Sequence, residues 1–288
     1  MDGLIIGSDA LARGMLTRAR LRWNYRRIYP DVYLRSDQPV TLRTRTIAAW
    51  LWSGRRAVIA GRAAAALRGT RWIDQDIPIE LIWSCPRAPA GIIARNERIG
   101  ADEIVDIGGM AVTTTTRTAL DLGRHLDTLP ALVHLDSLAR ATSFDPSAAH
   151  ALSYRYSGAR GVARSRLAVS LCDAGSQSPK ETWLRLILIN AGFPRPQTQV
   201  HISDGFNDAF IDMGWEEPKI GLDYEGEHHR AERGIYVHDI GRYELIERQG
   251  WVDLRVVAEH SPRFIVERVA AAFRRRGREP LSLRRNCA

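Results

Sequence analysis

Apolar and polar positions alternate along the chain in patterns that predict its elements. Residues 8–24 read as two short helices: Ser8 or Asp9 caps the first, Gly14 breaks it, and Thr17 caps a second over 18–23. The run Arg26-Arg27-Ile28-Tyr29-Pro30-Asp31-Val32-Tyr33-Leu34 predicts two short strands around a Pro-Asp turn. Short helices followed by a basic hairpin fit a winged helix-turn-helix. Residues 42–69 read as helical, with Ile47, Trp50 and Leu51 apolar in one segment and Ala63 to Leu67 in the next. Strands are expected at 79–83, 91–94, 104–106 and 110–113, then helices at 117–122 and 129–141. In the last of these Leu129, Leu132, Val133 and Leu135 are spaced as a packing face. Residues 157–178 are rich in Gly, Ser, Ala and Arg and predict a short connecting helix and a loop, with a domain boundary at 175–178.

Beyond the boundary the pattern restarts. Ser178-Pro179-Lys180-Glu181 is a helix start, with Ser as N-cap, Pro at the first helical position and Glu at the third. The helix carries Trp183, Leu184, Ile187 and Leu188 and stops at Gly192. Strands follow at 208–213 and 219–226, a helix at 234–249, a strand at 251–257 and a last helix from Ser261-Pro262. The expected order is helix, strand, strand, helix, strand, helix. The fold class is therefore α/β and α+β, multidomain.

Composition changes the picture mainly through charge. The chain has 288 residues, 45% hydrophobic and 26% charged, and a net charge of +8. Residues 1–72 hold 14 arginines against Asp2, Asp9, Asp31 and Asp37, a local net of +10. Arginine makes the bidentate phosphate and guanine contacts that lysine cannot, so this block predicts a polyanion partner. Within it Arg18, Arg20, Arg22, Arg26 and Arg27 are the candidate DNA contacts. Arg274, Arg275, Arg276 and Arg278 read as a solvated helix end. No apolar run reaches a membrane span and no signal peptide is recognisable; with Cys85, Cys172 and Cys287 far apart, a cytoplasmic protein is expected.

The candidate chemistry lies in the two acidic strands. Asp223 and Glu225 share one face, with Lys219 and Gly221, and hairpin pairing would bring Asp212 to Asp223. Three converging carboxylates repel one another unless a cation neutralises them, and hard oxygen ligands suit Mg²⁺ or Mn²⁺. A solvent-facing sheet edge explains the same spacing equally well. Glu181 has a capping role in any case. His228, with His229 beside it, is a candidate base or phosphate contact, or simply an exposed loop residue. Asp239 and Arg242 stand at i,i+3, the spacing of a helix-surface ion pair. Asp121, His125, His134 and Asp136 could ligate a metal, although solvated or capping side chains explain them more simply.

The run 178–185, then Ala191-Gly192-Phe193-Pro194, Gln199, Asp212-Met213-Gly214-Trp215, Lys219, Asp223-Tyr224-Glu225-Gly226, His228, Asp239, Arg242 and Gly250-Trp251 resembles actinobacterial proteins with a domain of unknown function related to very-short-patch-repair (Vsr-like) endonucleases. The resemblance covers about 100 residues. It implies a PD-(D/E)XK nuclease fold, with Glu181, Asp212 and the acidic strand at the metal site. The family strand reads Glu-Tyr-Asp-Gly, so the two acids are exchanged here, and Glu225 stands where the motif lysine would be. The N-terminal part is similar to AbiEi-type antitoxins and transcriptional regulators, in the 27–33 hairpin, in Gly61-Arg62-Ala63-Ala64-Ala65-Ala66-Leu67-Arg68-Gly69, and in the run 112–122. That resemblance implies a winged helix, an α/β domain and, in some members, a nucleotidyltransferase-like toxin as partner. The expected domains are a winged helix at 1–45, a middle domain and connector at 46–175, and a nuclease-type domain at 176–288. Two functions remain open: a metal-dependent endonuclease acting on double-stranded DNA, and a non-catalytic DNA-binding regulator or antitoxin.

Overall fold

The computed structural model describes residues 3–85, 87–226 and 233–278, with the side chains of 233–240 outside the description. The chain divides into two compact units, Met1–Ala174 and Gly175–Ala288.

The first unit begins with β1 (Leu4–Ile6), α1 (Gly7–Ala12), α2 (Arg18–Asn24), β2 (Tyr25–Tyr29) and β3 (Val32–Arg35). The strands form a small antiparallel sheet in the order β1-β3-β2. Thr17 caps α2 as expected, its Oγ1 accepting from the Arg20 amide at 3.2 Å. The cap of α1 comes from elsewhere. Asp31, in the β2–β3 turn at φ +61°, accepts through its carboxylate from the Ser8 amide at 2.8 Å and from the Ser8 hydroxyl. The Asp31 carbonyl accepts from the Gly7 amide at 2.8 Å. Ser8 is thus the donor and the turn supplies the acceptors, which ties α1 to the hairpin.

Residue 45 falls inside α3 (Leu42–Trp52), which opens with a reciprocal Thr41–Thr44 capping box. Its buried Ile47, Trp50 and Leu51 join Leu4, Val32 and Leu34 of the small sheet and Ile59, Ile79 and Leu81 of a larger one in a single core. The expected helical stretch over 42–69 is interrupted: β4 (Val58–Ile59) precedes α4 (Gly61–Ala66). With β5 (Ile79–Ile82), β6 (Ile92–Arg95), β7 (Ile104–Ile107) and β8 (Met110–Thr113), β4 builds a mixed sheet in the order β6-β5-β4-β8-β7. Four helices follow: α5 (Thr115–His125), α6 (Thr128–Thr142), α7 (Pro146–Arg155) and α8 (Val162–Leu171). They close a second core around Leu122, Leu135, Leu138 and Val169.

The second unit runs α9 (Pro179–Asn190), β9 (Gln197–Ser203), β10 (Asp208–Trp215), β11 (Ile220–Tyr224), α10 (Arg233–Arg248), β12 (Val252–Val256) and α11 (Pro262–Arg275). Strand β9 adds an element to the expected order. The sheet order is β12-β11-β10-β9; β9, β10 and β11 form an antiparallel meander, and β12 lies parallel to β11 after the α10 crossover. Leu184 and Leu188 of α9 and Ile265 and Phe273 of α11 pack with Met213, Leu222 and Leu254 on one face. On the other, Leu245 and Ile246 of α10 cover Val200, Ile202 and Ile211. Each such buried aliphatic side chain contributes about 1.5–3 kcal/mol.

Candidate functional site

Helix α2 is anchored to the first unit through buried Leu21, while Arg18, Arg20, Arg22 and Trp23 are exposed, Trp23 at 77%. Arg27 is exposed on β2. Arg26 is also at the surface, but its guanidinium donates to the carbonyls of Gln38 and Ser36, which pins the loop after β3. All five arginines are thus at the surface, with Arg26 partly spent on structure.

In the second unit the acids meet where β10 and β11 part. The ladder joins Met213 to Leu222 and goes no further toward Asp212. Beyond it the side chains take over: the Asp212 amide donates to Asp223 Oδ1 and the Tyr224 amide to Asp212 Oδ2, both at 2.8 Å. A kink in β9 and β10 makes this possible. Ile211 packs beneath α10 whereas Met213 packs beneath α9 and α11, although residues two apart in a regular strand share a face. Opposite Asp212 stands Gln199, at φ +51°. The deformation turns the Asp212 side chain toward β11.

Arg242 of α10 occupies the centre of this group. It donates to Asp223 Oδ2 and, through Nε, to the Phe210 carbonyl at 3.1 Å. The expected i,i+3 pairing of Arg242 with Asp239 falls outside the description, which does not extend to the Asp239 side chain. Asp253 of β12, which the pattern had left unmarked, stands in register with Gly221 and so on the face of Asp223. Both its carboxylate oxygens are buried without a hydrogen-bond partner, and Arg255 Nε lies 4.0 Å away. Glu225 turns to the same arginine, 3.3 Å from Arg255 Nε. Glu181 is buried and accepts from the Gln177 amide at 2.8 Å, one residue before its Ser178 cap. Lys180 places its Nζ 5.9 Å from the centre of the Tyr224 ring. His228 and His229 fall outside the described residues.

This surrounding is electrically unfavourable to anions. Burial pushes the Asp212 carboxyl up to about 7, reinforced by the negative Glu181 and Asp223. Asp253 is raised to about 7 by burial and then by Asp223. The unit brings Asp223 and Asp253 to the Arg242 guanidinium, with Asp212 beside Asp223 and Glu181, and Glu225 turned to Arg255. Asp253 escaped the sequence because only the parallel β11–β12 register brings it to Gly221.

The acids and histidines of the first unit have a different fate. Asp121, His134 and Asp136 are buried rather than solvated. Arg117, fully buried, binds Asp121 at 3.0 Å, Glu103 at 2.8 Å and Glu97 at 3.2 Å. Arg124 binds Glu97 at 2.8 Å and Asp121 at 3.3 Å. Among the described residues, Glu97, Asp121 and His125 are the three ligand-type side chains brought within 4.8 Å of one another. Guanidinium groups already compensate these acids, so the cluster is a structural ion-pair core. Burial holds the His134 imidazole down to about 4, and hence neutral.

Two curated proteins of Mycobacterium tuberculosis, the uncharacterized proteins MT2308 and Rv2248, are each 25% identical to this chain over 238 residues, 81% of it and 85% of theirs. A match of that length extends into both units. No family model matches the chain. Among the described residues no helix is long and apolar enough to cross a membrane.

Proposed function

We propose that this chain is a DNA-binding protein whose second unit is a metal-dependent endonuclease domain of the PD-(D/E)XK type, hydrolysing phosphodiester bonds. The observation that carries the reading is the opening of the β10–β11 ladder, where Asp212 and Asp223 each accept the other strand's amide. The helix, three-strand meander, crossover helix, parallel strand and helix of this unit are consistent with that class. The donors are of the kind that suits Mg²⁺ or Mn²⁺, all of them carboxylate oxygens, but no three of them come within 4.8 Å of one another, so an ion would have to draw them together. Asp212, Asp223 and Asp253 would hold the ion, with Glu181 behind Asp212 and Glu225 at the rim. Such an ion supplies Lewis-acid polarisation of a phosphate and an activated water. Lys180 adds positive charge beside Tyr224. The exposed arginines of α2 and β2 in the first unit would bind the duplex through phosphates.

One contact favours a second reading. Arg242 already neutralises Asp223, as a cation would, which suits a regulator or AbiEi-like antitoxin that keeps the fold for binding alone, with a nucleotidyltransferase-like toxin as partner. A cleavage assay of the purified chain on varied duplexes with Mg²⁺ or Mn²⁺ separates the two. Endonuclease function predicts cleavage that Asp212→Asn and Asp223→Asn each reduce by about 100-fold or more, beyond what outer-shell partners usually cost. Salt-sensitive DNA binding without any cleavage sinks the enzyme and leaves the regulator.

A further inference from the structure

Helix α2 is short but fixed at both ends. Thr17 caps its start. At its end the Asn24 carbonyl accepts from the Ser36 amide at 2.9 Å, next to the pairing of Tyr25 with Arg35 in the small sheet. Leu21 is its buried residue. With 3.6 residues per turn, successive side chains stand about 100° apart, so Trp23 lies about 200° from Leu21, on the outermost line of the helix. Arg20 and Arg22 stand about 100° to either side of Leu21 and therefore flank that line. Arg22 Cζ is 5.8 Å from the centre of the Trp23 ring. Exposed Ala19, one turn before Trp23, adds no bulk to the crest.

Residues 10–30 hold six arginines and no aspartate or glutamate. Among the described residues no carboxylate pairs with Arg18, Arg20 or Arg22. A lone apolar side chain at a surface is ordinary. An indole fixed between two uncompensated guanidinium groups is not, because its neighbours draw a polyanion against the ring.

The complement of such a ridge is a furrow with negative walls and an apolar group on its floor. The major groove of duplex DNA has both, with phosphates on either side and the thymine methyl among its base edges. It is about 12 Å wide and admits a helix, whereas the minor groove is about 6 Å wide. A single strand offers stacking faces but no second line of phosphates. We propose that Trp23 reads thymine methyl groups in the major groove, with Arg20 and Arg22 on the phosphates of the two strands. The inference rests on the reading that the arginines of α2 bind duplex DNA, and it adds a base contact to that reading.

Fluorescence anisotropy of the full chain tests it, with a chelator present so that nothing is cut. The probes are an alternating A·T duplex and the same duplex with deoxyuridine for every thymidine, which lacks the methyl groups and keeps the phosphates. The native chain should bind the thymine duplex at least about fourfold tighter, the worth of one buried methyl group. Trp23→Ala should remove that preference. Arg20→Gln with Arg22→Gln should instead weaken both duplexes alike and lower the salt slope by about 2. Equal affinity of the native chain for the two duplexes overturns the proposal and leaves the phosphate contacts standing, as does a preference that persists in Trp23→Ala. Tighter binding to single-stranded oligothymidine, lost in Trp23→Ala, also overturns it and makes Trp23 a stacking platform. Absence of salt-sensitive binding to either duplex sinks the DNA-binding reading itself, and the base contact with it.

Discussion

Asp253 carries two buried oxygens without a hydrogen bond and stands beside a second acid, so the folded chain holds its carboxyl in the protonated form up to about pH 7. An unfolded aspartate releases its proton near 4. Between those values the folded state binds more protons than the unfolded one, so stability falls as pH rises through the window and stays reduced above it. Asp253→Asn keeps the shape and removes the charge. In the presence of a chelator, its melting temperature should exceed that of the parent at pH 8 and match it at pH 4. Three pKa units set an upper bound of about 4 kcal/mol on the difference. A gap that is the same at both pH values would mean that the charge of Asp253 is not what destabilises the parent. Arg117 shows the opposite balance: several carboxylates and the Tyr156 hydroxyl meet its buried guanidinium, and no partner is missing.

At the scale of the element, the second sheet depends on two glycines where β10 meets β11. A Cβ on Gly221 would stand 2.7 and 2.8 Å from side-chain carbons of fully buried Ile211, and one on Gly214 would stand 2.6 Å from the Ile220 carbonyl oxygen. Gly221→Ala should cost roughly 1–3 kcal/mol in urea unfolding, and Gly214→Ala more, because backbone yields less than a side chain. Gly226→Ala, with no atom of the described residues within 4 Å of the added Cβ, is the control and should be near neutral. Elements with a local signal were legible in the sequence: α9 and α11 through Ser178-Pro179 and Ser261-Pro262, and the strands at 79–82 and 110–113 through β-branched runs. Strand β9 was passed over because Gln197, Gln199, His201 and Ser203 mask the inward Val200 and Ile202 of an edge strand. Two-residue β4 is too short for periodicity, and alanines beside it read as helix. Helix α7 had a readable start, Asp145 capping and Pro146 first, but no apolar stripe. Of the candidate site, the Asp212–Asp223 approach followed from hairpin spacing. Asp253 and the placement of Arg242 depend on the α10 crossover and a parallel register, which no local window contains.

Over the whole molecule, two units with separate cores imply separable stability. The unit from Gly175 to Ala288 has hydrophobic clusters on both faces of its own sheet, covered by α9 and α11 on one side and α10 on the other. Expressed alone, residues 175–288 should give a cooperative thermal transition and resist limited proteolysis. A fragment without a transition would show that the acidic strands need the first unit to fold. The first unit should not divide further at residue 45, because α3 crosses that point and its buried face joins both sheets.

Strand β1 is only three residues long, yet it occupies one flank of β3, pairing Leu4 with Leu34 and Ile6 with Val32. With β2 on the other flank, β3 presents no open row of amides and carbonyls. A chain begun after Ile6 would bare that row on a strand whose Val32 and Leu34 are already shaped for burial, a template for a stranger's strand. Those first few residues thus act as a stopper against self-association, and a shortened chain would be expected to polymerise edge to edge before it lost its fold.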